Sequence, residues 1–180
     1  FSEHATHVAG IAAGDYTPGA IPNRGPLSGV APNAYLGNYK VLTVPTENFG
    51  LNGNAPEIAA GIEAAVRDGM DVINLSLGEP EIEPSRDIVA LALDAAAAAG
   101  VVPVVAAGND FDDFGRGSVG SPGSAVAAIT VGATTSTASP SIASFSSAGP
   151  TPISLRLKPD VVAPGTSIAP TRTASRAVSG

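Results

Sequence analysis

The chain has no cysteine and no tryptophan, and only 4% of its 180 residues are aromatic. Without cysteine it has no disulfide, no thiolate metal ligand and no cysteine nucleophile, although this leaves the cellular compartment open. Long apolar runs are also lacking. Residues 90–105 come nearest to one, but Asp94, Gly100 and Pro103 interrupt them, and a membrane-spanning helix needs roughly 18 or more consecutive apolar residues. The sequence therefore predicts no transmembrane span.

Basic residues are few: 9 lysines and arginines stand against 16 aspartates and glutamates, for a net charge of −7. Binding to nucleic acid or to an anionic membrane surface calls for a clustered basic face. The sequence contains no such cluster. We therefore expect neither partner.

What the chain does have is enough apolar material for one domain with a substantial core, at 44% apolar residues. Its 21 glycines and 16 prolines indicate many tight turns. Only 14% of the residues are charged, which is too few for a disordered segment of this length. The composition predicts a folded domain with short connections.

Helix and strand patterns alternate along the chain. A run of helix formers closed by Gly14 predicts a helix over residues 5–13, and amphipathic spacing predicts two more over residues 54–69 and 85–99. The segments that read as strands are residues 34–44, 71–77, 101–106, 127–131, 142–145 and 160–163. This alternation predicts an α/β fold, a three-layer α/β/α sandwich with a mainly parallel sheet.

The two histidines of the chain occur in its first ten residues, F-S-E-H-A-T-H-V-A-G. The helix prediction places His4 at or near a first turn. His4 and His7 have the spacing of a metal-binding pair, but H-x-x-H without a neighbouring carboxylate is a weak metal signal. By itself, a lone histidine in such a segment is more often structural than catalytic.

Residues 4–10 are similar to the histidine motif H-G-T-H-V-A-G of subtilisin-like serine proteases, with Ala5 in place of the glycine. Four further segments resemble motifs of this family and follow in the family's order. They are D-V-I-N-L-S-L-G at 71–78, V-V-A-A-G-N-D at 104–110, F-S-S-A-G-P at 145–150 and K-P-D-V-V-A-P-G at 158–165. The resemblance extends over essentially the whole chain.

The resemblance implies a subtilisin-like fold and a serine endopeptidase that cuts peptide bonds through an acyl-enzyme. It implies that His4 is the general base and that Asn109 donates to the oxyanion. Backbone groups at four positions would pair with an extended substrate, and three small residues would line a P1 pocket with room for a large apolar side chain. These positions are Leu75, Ser76, Leu77 and Gly78 for the backbone pairing, and Ala106, Ala107 and Gly108 for the pocket.

The resemblance also implies a polypeptide substrate, an extracellular location, and a reaction without cofactor or metal. Many family members bind calcium as a structural ion, and Asp110, Asp112 and Asp113 are acidic. Their segment has no recognisable calcium-loop pattern, which favours a solvated acidic loop. Only residues 134–144 separate the predicted strand ending near Ala133 from the F-S-S segment, so we expect no inserted protease-associated domain.

Ser167 is a candidate nucleophile that we reject. Residues 165–170 read G-T-S-I-A-P, close to the family's G-T-S-M-A-x-P, but the proline comes one residue early. Arg172 also follows where the family has an apolar residue in a buried helix. We expect Ser167 in a strand or loop, away from a helix start. Residues 177–180, A-V-S-G, look like the lead-in to the true motif.

No aspartate of the chain lies in the family's D-T/S-G motif. We therefore expect residues 1–180 to be a partial peptidase domain, truncated at both ends, without the catalytic aspartate and nucleophile segments. Such a chain would be inactive alone and would need the rest of its own catalytic domain. We also expect His4 and Asn109 to face one cleft at the carboxyl edge of the sheet. The alternative is a non-catalytic relative that binds extended peptides.

Overall fold

The computed structural model describes residues 3–21, 25–46, 50–169, 172–173 and 176–177. The chain divides into two units, one of Phe1–Asn38 with Ile168–Gly180 and one of Tyr39–Ser167. In chain order the elements are α1 (Glu3–Ala13), β1 (Thr17–Ile21), β2 (Gly25–Leu27), β3 (Val44–Thr46), β4 (Gly50–Asn52), α2 (Ala55–Arg67), β5 (Val72–Leu75), α3 (Ile88–Ala98), β6 (Val102–Ala106), α4 (Phe111–Phe114), β7 (Ile129–Thr134), β8 (Val161–Pro164), β9 (Arg172–Thr173) and β10 (Arg176–Ala177).

A four-stranded sheet organises the larger unit. Its order is β5-β6-β7-β8, and every neighbouring pair is parallel. Parallel neighbours need a crossover connection, and α3 supplies the one between β5 and β6. The predicted α/β class with a mainly parallel sheet is thus confirmed.

Helices α2 and α3 cover one face of this sheet. Ile73 and Leu75 of β5 and Val105 of β6 point into a core that both helices share. Leu93 of α3 has no exposed surface. The helical residues of this core are Ile58, Ile62 and Ala65 of α2 and Val89, Ala90, Leu93 and Ala96 of α3. The apolar spacing that predicted α2 includes its buried residues Ile58 and Ile62. The apolar face predicted for α3, made of Ile88, Leu91, Ala92, Ala95 and Ala99, is wrong. Four of these residues are exposed, all but Ala92, and the buried positions are their neighbours along the helix.

A buried carboxylate fixes the start of α3. Asp87 is the N-cap, and its Oδ1 accepts hydrogen bonds of 3.0 Å from the N–H groups of Val89 and Ala90. These N–H groups have no partner inside the helix, so the cap satisfies them. The helix begins at Ile88, three residues after the predicted start at Ser85, because Asp87 caps it.

The opposite face of the sheet carries apolar side chains that remain open in the described part of the larger unit. Val72, Val102 and Ile129 alternate with buried residues along their strands, and Val161 lies in β8, where every residue is exposed. The exposed fractions of these four side chains are 58%, 42%, 40% and 50%. The register places them on one face, since Val72 pairs with Val102 and each strand alternates its side chains. One sheet thus has a covered face and an open face.

The smaller unit is built on α1. Hydrogen bonds of 2.8–2.9 Å from the N–H groups of residues 29–31 reach backbone carbonyls at the end of this helix, at Ile11, Ala12 and Gly14. Strands β1 and β2 form an antiparallel hairpin, and β9 pairs with β10 in the same way. The predicted helix over residues 5–13 is confirmed and begins slightly earlier, at Glu3.

Two predicted strands are wrong. Of residues 34–44 only Val44 is in a strand, and it pairs with β4 in a hairpin. The remainder has no ladder partner among the described residues; instead Tyr39 and Val41 pack against the core of α2 and α3. Residues 142–145 make only a single bridge, between Ile142 and Thr134. Both segments have β-forming residues, but a strand forms only where a neighbour offers its backbone.

The hairpin β1–β2 and the short helix α4 were not predicted, because the sequence there reads as a loop rich in glycine and proline or in acidic residues. In the part of the chain that the structure describes, no helix has the length and apolar character needed to cross a membrane.

Candidate active site

A pocket of about 190 Å³ lies where β5 and β6 end. Ligand sites in open α/β sheets occur at the carboxyl ends of parallel strands, where the loops that leave neighbouring strands meet. The residues that line it are Ser76, Leu77, Gly78, Glu79, Ala106, Ala107, Gly108, Asn109, Asp110, Gly120 and Ser121. Two segments that are separate in sequence, one after each strand, thus share one site.

The first wall follows β5. Ser76, Leu77 and Gly78 line the pocket, whereas the side chain of Leu75 is buried in the core beneath it. The wall continues to Glu79, whose N–H donates to the Ser121 carbonyl at 2.9 Å and whose carbonyl accepts from the Ser121 N–H at 2.8 Å. A Cβ at Gly120 would collide with the Glu79 carbonyl, so only glycine permits this close approach.

The second wall is the turn that follows β6. Ala107 is buried, Gly108 has a φ of +110°, and Asn109 is exposed at the pocket. Ser147 holds this turn on both sides of Asn109. Its N–H donates to the Gly108 carbonyl at 3.0 Å, and its Oγ accepts from the Asp110 N–H at 3.1 Å.

Ser147 belongs to the F-S-S segment, whose part in the site the sequence did not reveal. The preceding Ser146 accepts a hydrogen bond of 2.9 Å from the Ala133 N–H of β7. Both serines are buried. The segment therefore fastens the Asn109 turn to the sheet, and a turn fixed in this way presents its exposed side chain in one place.

Sequence reasoning also missed Glu79, Gly120 and Ser121 as pocket residues and treated Asp110 only as part of an acidic loop. Glu79 and Asp110 directly follow the two motifs that line the pocket, so their position in the chain was an available signal. Gly120 and Ser121 carry no local signal, because their place depends on a backbone bridge to a distant segment.

His4 lies in the first turn of α1, as predicted, and is exposed. It belongs to the smaller unit and Asn109 to the larger one, so their shared cleft stays a prediction. His7, one turn further along, is half-buried, and its Nε2 lies 3.1 Å from the Ala169 carbonyl oxygen. This contact gives His7 a structural role within the smaller unit.

Ser167 lies in a loop after β8, not at a helix start, which confirms that prediction. Its φ is 53°. Ser136 forms two hydrogen bonds to this loop. Its Oγ donates to the Thr166 carbonyl at 2.5 Å, and its N–H donates to Thr166 Oγ1 at 3.2 Å. Of the two expected settings, a strand or a loop, the loop is the one observed, because β8 ends at Pro164 and the chain bends at residues 166–167.

The K-P-D segment forms a charged clamp between β7 and β8. Lys158 Nζ donates to the Ala128 carbonyl and to Asp160 Oδ2, both at 2.7 Å, and Asp160 Oδ2 also accepts from the Thr130 N–H at 2.7 Å. Partial burial raises the pKa of Asp160, but the hydrogen bonds from Lys158 and Thr130 together outweigh it and hold that pKa below its ordinary value.

Comparison with known proteins shows which family this chain resembles. The sequence model of the subtilase family matches residues 1–179. The chain is 39% identical to subtilisin DY of Bacillus licheniformis over 92% of its own length, and 40% identical to subtilisin E of Bacillus subtilis over 93%. It is 41% identical to the minor extracellular protease Vpr of Bacillus subtilis over 74% of its length, which is 14% of that protein.

Solved structures agree with the sequence matches. Sphericase superposes with a TM-score of 0.73 at 31% identity, over 98% of this chain and 57% of the other. The S41 psychrophilic protease superposes with a TM-score of 0.70 at 34% identity, over 93% of this chain and 53% of the other. The chain spans 52% of subtilisin DY and 38% of subtilisin E. The fold is subtilisin-like, and the chain belongs to the subtilase family.

Proposed function

We propose that this chain is the central part of a secreted serine endopeptidase that hydrolyses polypeptides through an acyl-enzyme. One observation carries the proposal: six of the seven residues expected at a substrate site, all but Leu75, come from two separate motifs and line a single pocket together with Asn109. Family membership supports the reaction class. A relative named as an extracellular protease supports the location.

In the proposed reaction His4 takes the proton of the attacking serine and later gives it to the leaving amine. The Asn109 amide donates to the oxyanion that develops on the scissile carbonyl. Backbone groups of Ser76 and Gly78, with those of Leu75 and Leu77, pair with the extended substrate. The buried side chain of Leu75 is compatible with this role, because only its backbone would contact the peptide.

Ala106, Ala107 and Gly108 form the pocket wall that receives the P1 side chain. No metal or cofactor takes part in the proposed chemistry, since base, oxyanion donor and nucleophile are all protein groups. The partner is a polypeptide, and neither nucleic acid nor membrane is expected for a chain with net charge −7.

The nucleophile is proposed to come from the rest of the catalytic domain. Ser167 is the nearest match to a nucleophile motif, but it sits in a loop at a φ of 53°, whereas the family motif opens a helix. The catalytic aspartate is proposed to come from the same source. We therefore expect the 180 residues expressed alone to hydrolyse no peptide above the buffer rate.

The test uses the whole protein encoded by the gene that carries this chain, assayed with a chromogenic peptide. We expect His4→Ala to lower kcat by about 10⁴-fold or more, and Asn109→Ala to lower it about 10²- to 10³-fold, the loss known for this donor in subtilisin. Ser167→Ala serves as the control and should leave kcat unchanged.

Two results would decide against the proposal. If Ser167→Ala abolished activity as fully as His4→Ala, Ser167 would be the nucleophile and the chain would need no outside serine. If the whole protein bound peptides at this pocket but cut none, the alternative of a non-catalytic, peptide-binding relative would be correct.

A further inference from the structure

Among the described residues, two acidic residues and no lysine or arginine line the pocket. Glu79 follows the first wall and Asp110 the second. In the described ranges of the chain Lys158 forms an ion pair with Asp160, and no described lysine or arginine pairs with the carboxylate of Glu79 or Asp110. The remaining lining is small, apolar or uncharged. The pocket therefore combines largely apolar walls with charged residues that are all negative.

The Asp110 carboxylate is placed by its neighbours. Its Oδ2 lies 3.0 Å from the point where a Cβ on Gly108 would stand, so it packs over a glycine that itself lines the pocket. The Asp110 backbone is fixed to Ser147. On the other side, the two hydrogen bonds to Ser121 fix the backbone of Glu79. The backbones of both acidic residues are thus held by hydrogen bonds to a distant segment of the chain.

We infer that this pocket selects a P1 side chain with a long aliphatic stem and a cationic end, arginine above all, over a neutral side chain of the same size. The inference rests on the proposed function and names the substrate class of that same site. It also departs from the expectation of an apolar P1 residue, which considered only the alanines and glycine of the wall.

The physical basis is that an amphipathic side chain fits a pocket with an apolar part and an acidic part. The methylene stem packs along Leu77 and Ala106, while the charged end stays near the carboxylates and water. A guanidinium suits this end, because its planar donors match carboxylate geometry. Both carboxylates belong to exposed residues, where a charge pair is worth little. Each carboxylate should therefore change the preference for a cationic over a neutral P1 side chain only about two- to fivefold.

The test compares two peptide substrates that differ only at P1, one with arginine and one with citrulline, its uncharged isostere. In the whole protein at low ionic strength we expect kcat/KM to favour arginine by about 4- to 25-fold, the product of two such effects. Glu79→Gln and Asp110→Asn should each lower this ratio about two- to fivefold. Raising the salt to about 1 M should also lower it, since the screening length falls to roughly 3 Å.

Asp112→Asn is the matched control. It removes the same charge from an exposed residue of α4 that does not line the pocket, so the arginine-to-citrulline ratio should stay at the parent value. An equal fall in this variant would mean that overall charge, not the pocket, sets the ratio, and would overturn the inference. Equal cleavage of both peptides by the parent protein would overturn it too while leaving the endopeptidase proposal intact.

If neither of these peptides nor the chromogenic peptide is cut, the endopeptidase proposal fails, and equilibrium binding of the arginine and citrulline peptides tests the charge preference. Tighter binding of the arginine peptide that weakens in Glu79→Gln or Asp110→Asn upholds the inference. Equal binding of the two peptides overturns it.

Discussion

The two faces of the parallel sheet are built from the same strands and the same kinds of residue, yet they differ in what covers them. On one face Ile73 and Val105 lie beneath α2 and α3. On the other face, Val72 is one residue from Ile73 and Val102 is three residues from Val105, and both remain about half exposed. Side chains alternate between the faces of a strand, so composition alone does not separate the two.

The open face shows that the strands carry more apolar surface than the described part of the larger unit buries. Single exposed valines are ordinary, but a contiguous apolar patch indicates a surface that another element covers. We propose that the rest of the catalytic domain packs here, as the second helical layer of the predicted sandwich. On this view the covered face supplies the stability of the unit, and the open face contributes only once it is covered.

The largest effect should come from the covered face. Leu93→Ala removes a side chain with no exposed surface from the shared core. We expect it to lower the free energy of unfolding by about 2–5 kcal/mol, measured by urea denaturation of the 180-residue chain. Leu91→Ala is the matched control, since Leu91 lies on the same helix and is 48% exposed. Leu91→Ala should lower the free energy of unfolding by well under half as much as Leu93→Ala. Similar decreases in the two variants would mean that α3 does not cover the sheet as described.

The next effect should come from a buried carboxylate at the pocket end of this unit. Glu81 is buried and accepts hydrogen bonds from the N–H groups of Ile153 and Ser154, at 2.6 and 3.2 Å, and from Ser154 Oγ at 2.5 Å. Glu81→Ala should leave these donors without a partner and lower the free energy of unfolding by about 1–3 kcal/mol.

Glu83→Ala is the control for Glu81, because Glu83 is exposed and two residues further along. Unfolding measured by urea denaturation should respond to Glu81→Ala and little to Glu83→Ala. An equal, small response would show that the loop at residues 153–154 does not depend on the Glu81 carboxylate.

Much of the covered face was predictable, because its elements are marked locally. The spacing of Ile58, Ile62 and Val66 indicates α2, and the apolar run at residues 101–106 indicates β6. Residues 34–44 have equally good strand formers, but strand formation depends on a partner. No such partner is described beside them, and Tyr39 packs on the core and donates to Asp68 Oδ2 at 2.8 Å instead.

The candidate site was predictable where motifs carry it and not where long-range contacts build it. The motifs led to Ser76, Leu77 and Gly78 and to the turn at Asn109, all of which line the pocket. The support from Ser147 and the bridge from Glu79 to Ser121 depend on segments that only the fold brings together. A single sequence holds no local pattern for either contact.

A smaller effect should appear at the clamp between β7 and β8, as a dependence of stability on pH. The folded pKa of Asp160 is lowered, so its ionised form is stabilised by folding. This contribution is fully present above the unfolded-state pKa and is lost as the pH falls through the lowered folded value. Asp160 is partly exposed, so the effect should be modest.

Asp160→Asn tests the clamp because it retains the shape of the side chain and removes its titration. Urea unfolding followed from pH 7 down into the acid range should show a shallower loss of stability in Asp160→Asn than in the parent. Identical acid profiles for the two proteins would show that the charge of Asp160 contributes nothing.

The smallest effect on stability, and the one that tests the comparison most directly, should come from the open face. Val102→Thr replaces a half-exposed apolar side chain with a polar one of similar shape. In the 180-residue chain it should change the free energy of unfolding by no more than about 0.5 kcal/mol while lowering the binding of a hydrophobic dye. In the whole protein the same substitution should cost about 1–3 kcal/mol, because the hydroxyl is then buried without an assured partner. An equally small cost in both proteins would show that nothing covers this face, and that the difference between the two faces is permanent.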